Sequence, residues 1–368
     1  GGAVVTSQYL GRKDEESACK SAEQLLASIL TLSLIVMTIA LTFRRGILRL
    51  LFGNVEQAVM TNAVTYMFWI SLSFPFLAIY NSCAALFRSM GNSKISMKIS
   101  FIMNLINIVG NAILIFGFHM GVAGAAIATL ISRVFAAFIM YILLRNKKNP
   151  VYVNPIRTYR VNVVMIKRIL RIGIPNGMEN SVFQIGKLLV QGIIAGLGTS
   201  AITANAIAGN VGGIGVLPGN AMSLALITVI GQCVGAGDYD AVKHYTHKLL
   251  KVTYAIMSIL NLILIFIIPF ITRLYNLTDQ TAEIAQQLMT HHALLAIFIW
   301  PTSFCLPNVL RAANDVKFTM LVSMISMFVW RIGFSIILVH ILHIGVLGVW
   351  ISMTIDWLFR SICFVIRF

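Results

Sequence analysis

The sequence predicts an all-α, polytopic helical membrane protein. Three observations carry that prediction. Of the 368 residues, 58% are hydrophobic and only 11% are charged, against roughly 25% charged in soluble domains. The mean hydropathy is +0.86. Apolar runs of about twenty residues, long enough to cross a hydrocarbon core as a helix, recur along the chain. Alternating apolar and polar residues are missing, which argues against a β-barrel.

Ten spans are expected, at roughly 25–43, 61–87, 95–117, 121–144, 170–196, 200–234, 248–272, 285–310, 316–341 and 345–367. The sixth contains Gly209, Gly212, Gly213, Gly215, Pro218 and Gly219, so a bend is expected there. The net charge of +16 would point to nucleic acid in a soluble chain. Here it reads as topology, and no nucleic-acid partner is expected. The loops 12–20, 88–98, 145–171, 243–251 and 311–317 hold nineteen Lys and Arg, against four in 44–49 and at Arg273. That bias places the first set, including 12–20 and 145–171, in the cytoplasm, with the spans in the cell (inner) membrane. Cys19, Cys83, Cys233, Cys305 and Cys363 have no metal-ligand spacing, and no resident metal or cofactor is expected.

The chain resembles itself at an offset near 224. SQYLGRKD (7–14) aligns with GQCVGAGD (231–238), RSMGNSKISMKIS (88–100) with RAANDVKFTMLVS (311–323), and MGVAGAAI (120–127) with IGVLGVWI (344–351). Two spans precede the second GQCVGAGD and nothing equivalent precedes the first SQYLGRKD. The expectation is a twelve-helix parent in two six-helix, pseudo-symmetric halves forming a parallel repeat. The N-terminal lobe (1–150) lacks its first two helices, 151–169 is a cytoplasmic linker, and 170–368 is a C-terminal lobe of six helices.

The stretch GIPNGMENSVFQIGKLLVQG (173–192) holds the sharpest site signal. On a helix at 100° per residue, Asn176, Glu179, Asn180, Gln184, Lys187 and Gln191 share an arc of about 140°. A polar stripe on a spanning helix faces protein or a wet cavity, because a charge at the bilayer centre costs about 2.5–3.5 kcal/mol on insertion scales. Glu179 and Asp356 are the two acids placed inside spans. A carboxyl in a partly desolvated cavity can hold a proton near neutral pH, and a carboxylate beside the Asn180 amide is also a suitable Na⁺ ligand. Glu179 and Asn180 are therefore the candidates for cation coupling, with a structural acid paired to Lys187 as the plainer alternative. Asn176, Gln184, Lys187 and Asn205 are assigned to a substrate cavity, as are Asn104, Asn107 and Asn111, which form a second stripe that could equally serve helix packing. Asp356, with Arg360 one turn on and Arg331 on the preceding span, is expected as a structural ion pair. His291 and His292 are placed near the outer interface. Trp300, Met324 and Phe328 could form an apolar wall.

FPFLAIYNSCAALFRSMGNSK (74–94), GVAGAAIATLISR (121–133), GIPNGMENSVFQIGK (173–187), VLPGNAMSLALITVIGQCVGAGD (216–238) and WISMTIDWLFRSICFVIRF (350–368) together resemble the multidrug and toxic compound extrusion (MATE) transporters. The resemblance implies a monomeric antiporter in the lipid bilayer, not an enzyme, that expels small amphipathic, often cationic, drug-like organic compounds in exchange for Na⁺ or H⁺. It also implies that the first two family helices are absent. Members often carry an acid in the helix of Glu179, about one turn further along, near Phe183. The alternative is a lipid-linked oligosaccharide flippase of the same superfamily, whose cavity would be lined by several bases. Lys187, Arg133, Arg331 and Arg360, the four bases within spans, are not expected to cluster, which favours efflux.

Overall fold

The computed structural model describes residues 1–53 and 56–368. The described residues form fifteen α-helices and no strand. In chain order they are α1 (Gly2–Gly11), α2 (Glu15–Phe52), α3 (Gln57–Leu72), α4 (Phe74–Ser89), α5 (Ser93–Asn111), α6 (Gly121–Leu144), α7 (Val163–Ala195), α8 (Thr199–Gly215), α9 (Leu217–Ala236), α10 (Tyr239–Leu274), α11 (Asp279–Trp300), α12 (Leu306–Ala312), α13 (Val316–Ser326), α14 (Phe334–Ile336) and α15 (Val346–Arg367). Short π-helical turns at Ala112–Gly117, Pro301–Cys305, Met327–Gly333 and Ile337–Ile341 continue or join these helices. The chain divides into two compact units, residues 2–169 and 170–368 with Gly1.

Every predicted span has a helix. By length and apolarity alone, eight helices among the described residues could cross a membrane, or nine when α3 and α4, bent by 45° at Ser73, are taken as one. The fifth predicted span, α7, fails that test because its polar stripe and basic start dilute the apolar run. It also begins earlier than predicted, at Val163 rather than 170, and carries Pro175 in its interior. The sixth breaks at Val216, between α8 and the Pro218 that opens α9. Proline lacks an N–H and fits only a first helical turn, so the bend falls where its ring is tolerated. Large apolar side chains such as Phe101, Phe116, Phe266 and Ile366 stay more than 70% exposed, the surface expected of helices in lipid.

The internal repeat is visible in the backbone. α1 and α9 end alike, with Lys13 (φ 60°) and Gly237 (φ 77°) left-handed and the amides of Asp14 and Asp238 donating to the carbonyls of Tyr9 and Cys233. This is the Schellman termination. Asp14 and Asp238 then cap the next helix by accepting from the amides of Ser17 (3.0 Å) and Ala241 (2.8 Å), and the bonds from Ser17 hold the Asp14 carboxyl below its usual range. α4 and α12 close through Gly91 (φ 77°) and Asn314 (φ 70°), with Asn92 and Asp315 donating to Phe87 and Leu310. The π turns at 112–117 and 337–341 each lead to a left-handed His, His119 and His343. Three aligned sequence pairs thus correspond to three matched backbone devices.

Each unit has its own core. In residues 2–169, Leu86, Phe87, Met140 and Leu144 are fully buried with Cys83 and Tyr80. The segment after α6 belongs to this core: Val151 and Val153 are buried in it, Asn154 donates to Glu23 and Gln24 donates to the Arg160 carbonyl. In residues 170–368 one cluster gathers around Ala208, Leu288 and Trp350, and a second around Leu226, Trp300 and Trp357. α9 meets α11 so closely that a Cβ on Gly219 would lie 2.1 Å from the Trp300 ring and 2.9 Å from the Met257 sulfur. Gly219→Ala is expected to lower stability by about 1–3 kcal/mol through overpacking, whereas Gly209→Ala, whose Cβ meets nothing within 4 Å, is expected to leave the melting temperature of the detergent-solubilised protein unchanged or higher.

Candidate functional site

A cavity of about 600 Å³ opens within the 170–368 unit, within the range of small-molecule sites. α7 supplies one wall. Successive turns of its polar stripe present Glu179, Asn180, Gln184, Lys187 and Gln191 to the space. Opposite them lie Asn205 of α8, His292 and Trp300 of α11, Phe304 of the following π turn, Arg311 of α12, Arg331 of a second π turn, and Trp350, Trp357 and Arg360 of α15. The stripe therefore faces a cavity, as its periodicity predicts.

Glu179 is buried at 7% exposure. Its Oε1 accepts from Arg311 Nη2 at 2.7 Å and lies 4.0 Å from Arg360 Nη2. The alternative of a pair with Lys187 is replaced by a pair with Arg311, 132 residues away. Arg311 is itself held by Asn308, whose Oδ1 accepts from Nη1 at 2.7 Å. Glu179 Oε2 has no hydrogen-bond partner among the described residues, although its residue lines the cavity. The sequence placed Arg311 in a cytoplasmic loop. Its only earlier mark was its alignment with Arg88 across the repeat.

The expected ion pair around Asp356 forms in part. Arg331 Nη1 reaches Asp356 Oδ2 at 3.4 Å, and the Ser326 hydroxyl donates to Asp356 Oδ1. Arg360, one turn from Asp356, has Glu179 as its salt-bridge partner instead. An i,i+4 spacing puts two side chains on one helix face but does not oblige them to bond; the buried carboxylate of α7 is the closer competitor. The guanidinium groups also stack on rings, Arg331 over Phe183 at 5.1 Å and Arg360 over Phe304 at 4.5 Å, the cation–π arrangement favoured by arginine. Lys187 Nζ sits 5.0 Å from the Phe183 centroid.

The bases do cluster, contrary to the sequence expectation. Lys187, Arg311, Arg331 and Arg360 line one cavity; Arg133 alone lies elsewhere, donating to Ser73 at the break between α3 and α4. Residues remote in sequence converge here, which no spacing could reveal. His292 is likewise corrected. It is buried in the cavity wall, edge-on to Trp350 and Trp357 at 5.5 and 5.3 Å, while His291 meets the Thr354 hydroxyl at 2.9 Å. Of the suggested apolar wall, Trp300 lines the cavity, stacked on Phe304 at 4.8 Å; Met324 and Phe328 are not among the lining residues.

Among the residues assigned to a substrate cavity, Gln184, Lys187 and Asn205 line it and Asn176 does not; Asn180, assigned to cation coupling, lines it too. Asn205 donates to Gln191 and accepts from the Trp350 indole, at 3.2 and 3.0 Å, so it orders the wall as well as facing it. Asn104, Asn107 and Asn111 lie in the other unit. Asn104 donates to the Ser100 carbonyl, Asn107 to Thr129 of α6 and Asn111 to Asn107, so Asn107 serves helix packing and none of the three lines this cavity.

A cavity of this size, ringed by tryptophans and charges, has the dimensions of a small-molecule site. Residues 1–113 and 175–337 match the profile of the MatE family. The chain belongs to the MatE family. It is 28% identical over 371 residues to the uncharacterized transporter YisQ of Bacillus subtilis, covering 98% of this chain and 80% of that relative. It is 28% identical over 347 residues to the probable multidrug resistance protein NorM of Thermotoga maritima, covering 89% and 70%. A solved structure of MATE in the bent conformation superimposes with a TM-score of 0.87 at 20% identity, covering 100% of this chain and 81% of that one. That of a MOP superfamily transporter from Pyrococcus furiosus gives 0.88 at 20% identity with the same coverage. This MatE chain is an integral membrane protein of a secondary-transporter family with multidrug-resistance relatives.

The buried charges should be coupled energetically. Asp356→Asn leaves Arg331 without its carboxylate and is expected to cost about 3–5 kcal/mol, with Asp356→Asn/Arg331→Met recovering most of it. Thermal unfolding in detergent measures both; additive losses in the double variant would contradict the pairing.

Proposed function

We propose that this MatE chain exports small amphipathic organic compounds by alternating access, in antiport with Na⁺ or H⁺, and that Glu179 couples the two fluxes. It acts as a monomer in the cell (inner) membrane, with loops 12–20 and 145–171 in the cytoplasm. The observation that carries the reading is the state of Glu179, a residue lining a cavity of drug-ligand size: one oxygen is clamped by Arg311 at 2.7 Å and the other is unpartnered among the described residues.

Coupling follows from electrostatics. In a poorly solvated site, opposite charges a few ångströms apart interact by several kcal/mol. A proton, or Na⁺ seated on Glu179 with Asn180 beside it, cancels the carboxylate charge that Arg311 and Arg360 share. The two guanidinium groups are then released toward the cavity, and α7, α12 and α15 lose the contact that ties them. Cation loading thereby changes both the charge presented to cargo and the packing of three helices, which is the differential interaction a switch requires.

A second reading, a lipid-linked oligosaccharide flippase of the same superfamily, gains from the four bases on the wall. The same cavity would then hold a pyrophosphate-bearing headgroup. Efflux of an amphipathic dye from proteoliposomes under an imposed Na⁺ or H⁺ gradient tests the leading reading. Glu179→Gln is expected to reduce gradient-driven efflux by about tenfold or more, and applying each gradient alone identifies the ion. Undiminished coupled efflux in that variant would remove Glu179 from the mechanism.

A further inference from the structure

The charges around the cavity do not balance. Lys187, Arg311, Arg331 and Arg360 lie on its wall, Glu179 is the one acid beside them, and Asp356 stands behind Arg331. With both carboxylates ionised, two positive charges remain in excess. Lys187 has no carboxylate within ion-pair distance among the described residues. The Nε groups of Arg311 and Arg360 have no hydrogen-bond partner among them either. Uncompensated charge in a low-dielectric site is costly, so such a site gains by admitting an anion and loses by admitting a cation.

The rest of the wall defines what the anion is attached to. Trp300 and Phe304 stack in parallel, 4.8 Å apart and 19° from coplanar, and Trp357 meets Phe304 edge-on at 5.8 Å. Phe183 extends the aromatic surface toward Lys187 and Arg331, and Trp350 also lines the wall. Aromatic faces bind flat apolar bodies, and a few placed polar groups then fix orientation.

Resting on the reading of this cavity as the cargo site, we propose that its cargo is an amphipathic organic anion: an aromatic or otherwise apolar body bearing a carboxylate, sulfonate or phosphate, held at the Lys187–Arg331 side. Lys187 is the specificity-determining residue, because its charge is not committed to a protein carboxylate.

Equilibrium binding to the purified full chain in detergent tests this. Tryptophan fluorescence is titrated with two probes sharing one ring system and differing in charge, naphthalene-2-sulfonate and 2-naphthyltrimethylammonium. The sulfonate is expected to bind about tenfold tighter or better, a difference of about 1.4 kcal/mol. Lys187→Gln should shrink that ratio and Lys187→Glu, which leaves no positive excess, should bring it close to one; both variants are first checked for an unchanged melting temperature, which is expected because Lys187 is exposed to the cavity. Equal or tighter binding of the ammonium probe to the native chain, or an unchanged ratio in both variants, would overturn the proposal. Polyprenyl pyrophosphate in the micelles separates two sources of such an anion. Tight competition with the sulfonate identifies a lipid headgroup, and no competition identifies a free organic acid. No gradient enters this measurement, so failure of coupled efflux alone would leave the charge preference standing, and equal binding of both probes would leave coupling through Glu179 untouched.

Discussion

The structure of the 170–368 unit turns on one buried ion pair, the contact of Glu179 with Arg311 at 2.7 Å with Arg360 4.0 Å away. Three helices that share little else, α7, α12 and α15, meet at that carboxylate. Burying a charge is unfavourable unless a partner offsets it, so the position of each helix is constrained by the need to keep the others' charges matched. A charge that is expensive to bury holds its partners in place. Its removal or neutralisation affects geometry and electrostatics together.

The neighbouring pair of Arg331 and Asp356 differs in character. Asp356 is 1% exposed, and the Ser326 hydroxyl takes up one of its oxygens. It stands behind the wall and not on it. Glu179 keeps an oxygen unpartnered at the wall. Of these two buried acids with arginine partners, Asp356 has both oxygens engaged, and Glu179 has one oxygen with no hydrogen-bond partner among the described residues.

The two units carry the same backbone grammar with different contents. The Schellman ends at Lys13 and Gly237, the aspartate caps that follow, and the paired π turns recur in both. Between these shared turns, α5 places asparagines that bond to one another and to α6, whereas the corresponding region of the second unit places Arg331. Helix ends are set by local hydrogen-bond geometry and survive duplication; the residues between them are free to diverge once the frame holds.

Much of this was legible in the sequence, because the signals are local. Apolar runs of twenty residues specify spans. A polar stripe at 100° per residue specifies a helix with one wet face, and Asn180, Gln184 and Lys187 fall where that rule puts them. What the tertiary structure alone decided is which charges meet. Arg311 read as a loop base and His292 as an interfacial one, and Arg360 as a partner of Asp356. All three instead face the Glu179 cavity, because pairing in a low-dielectric interior is settled by distance across helices, and sequence separation carries no information about that distance.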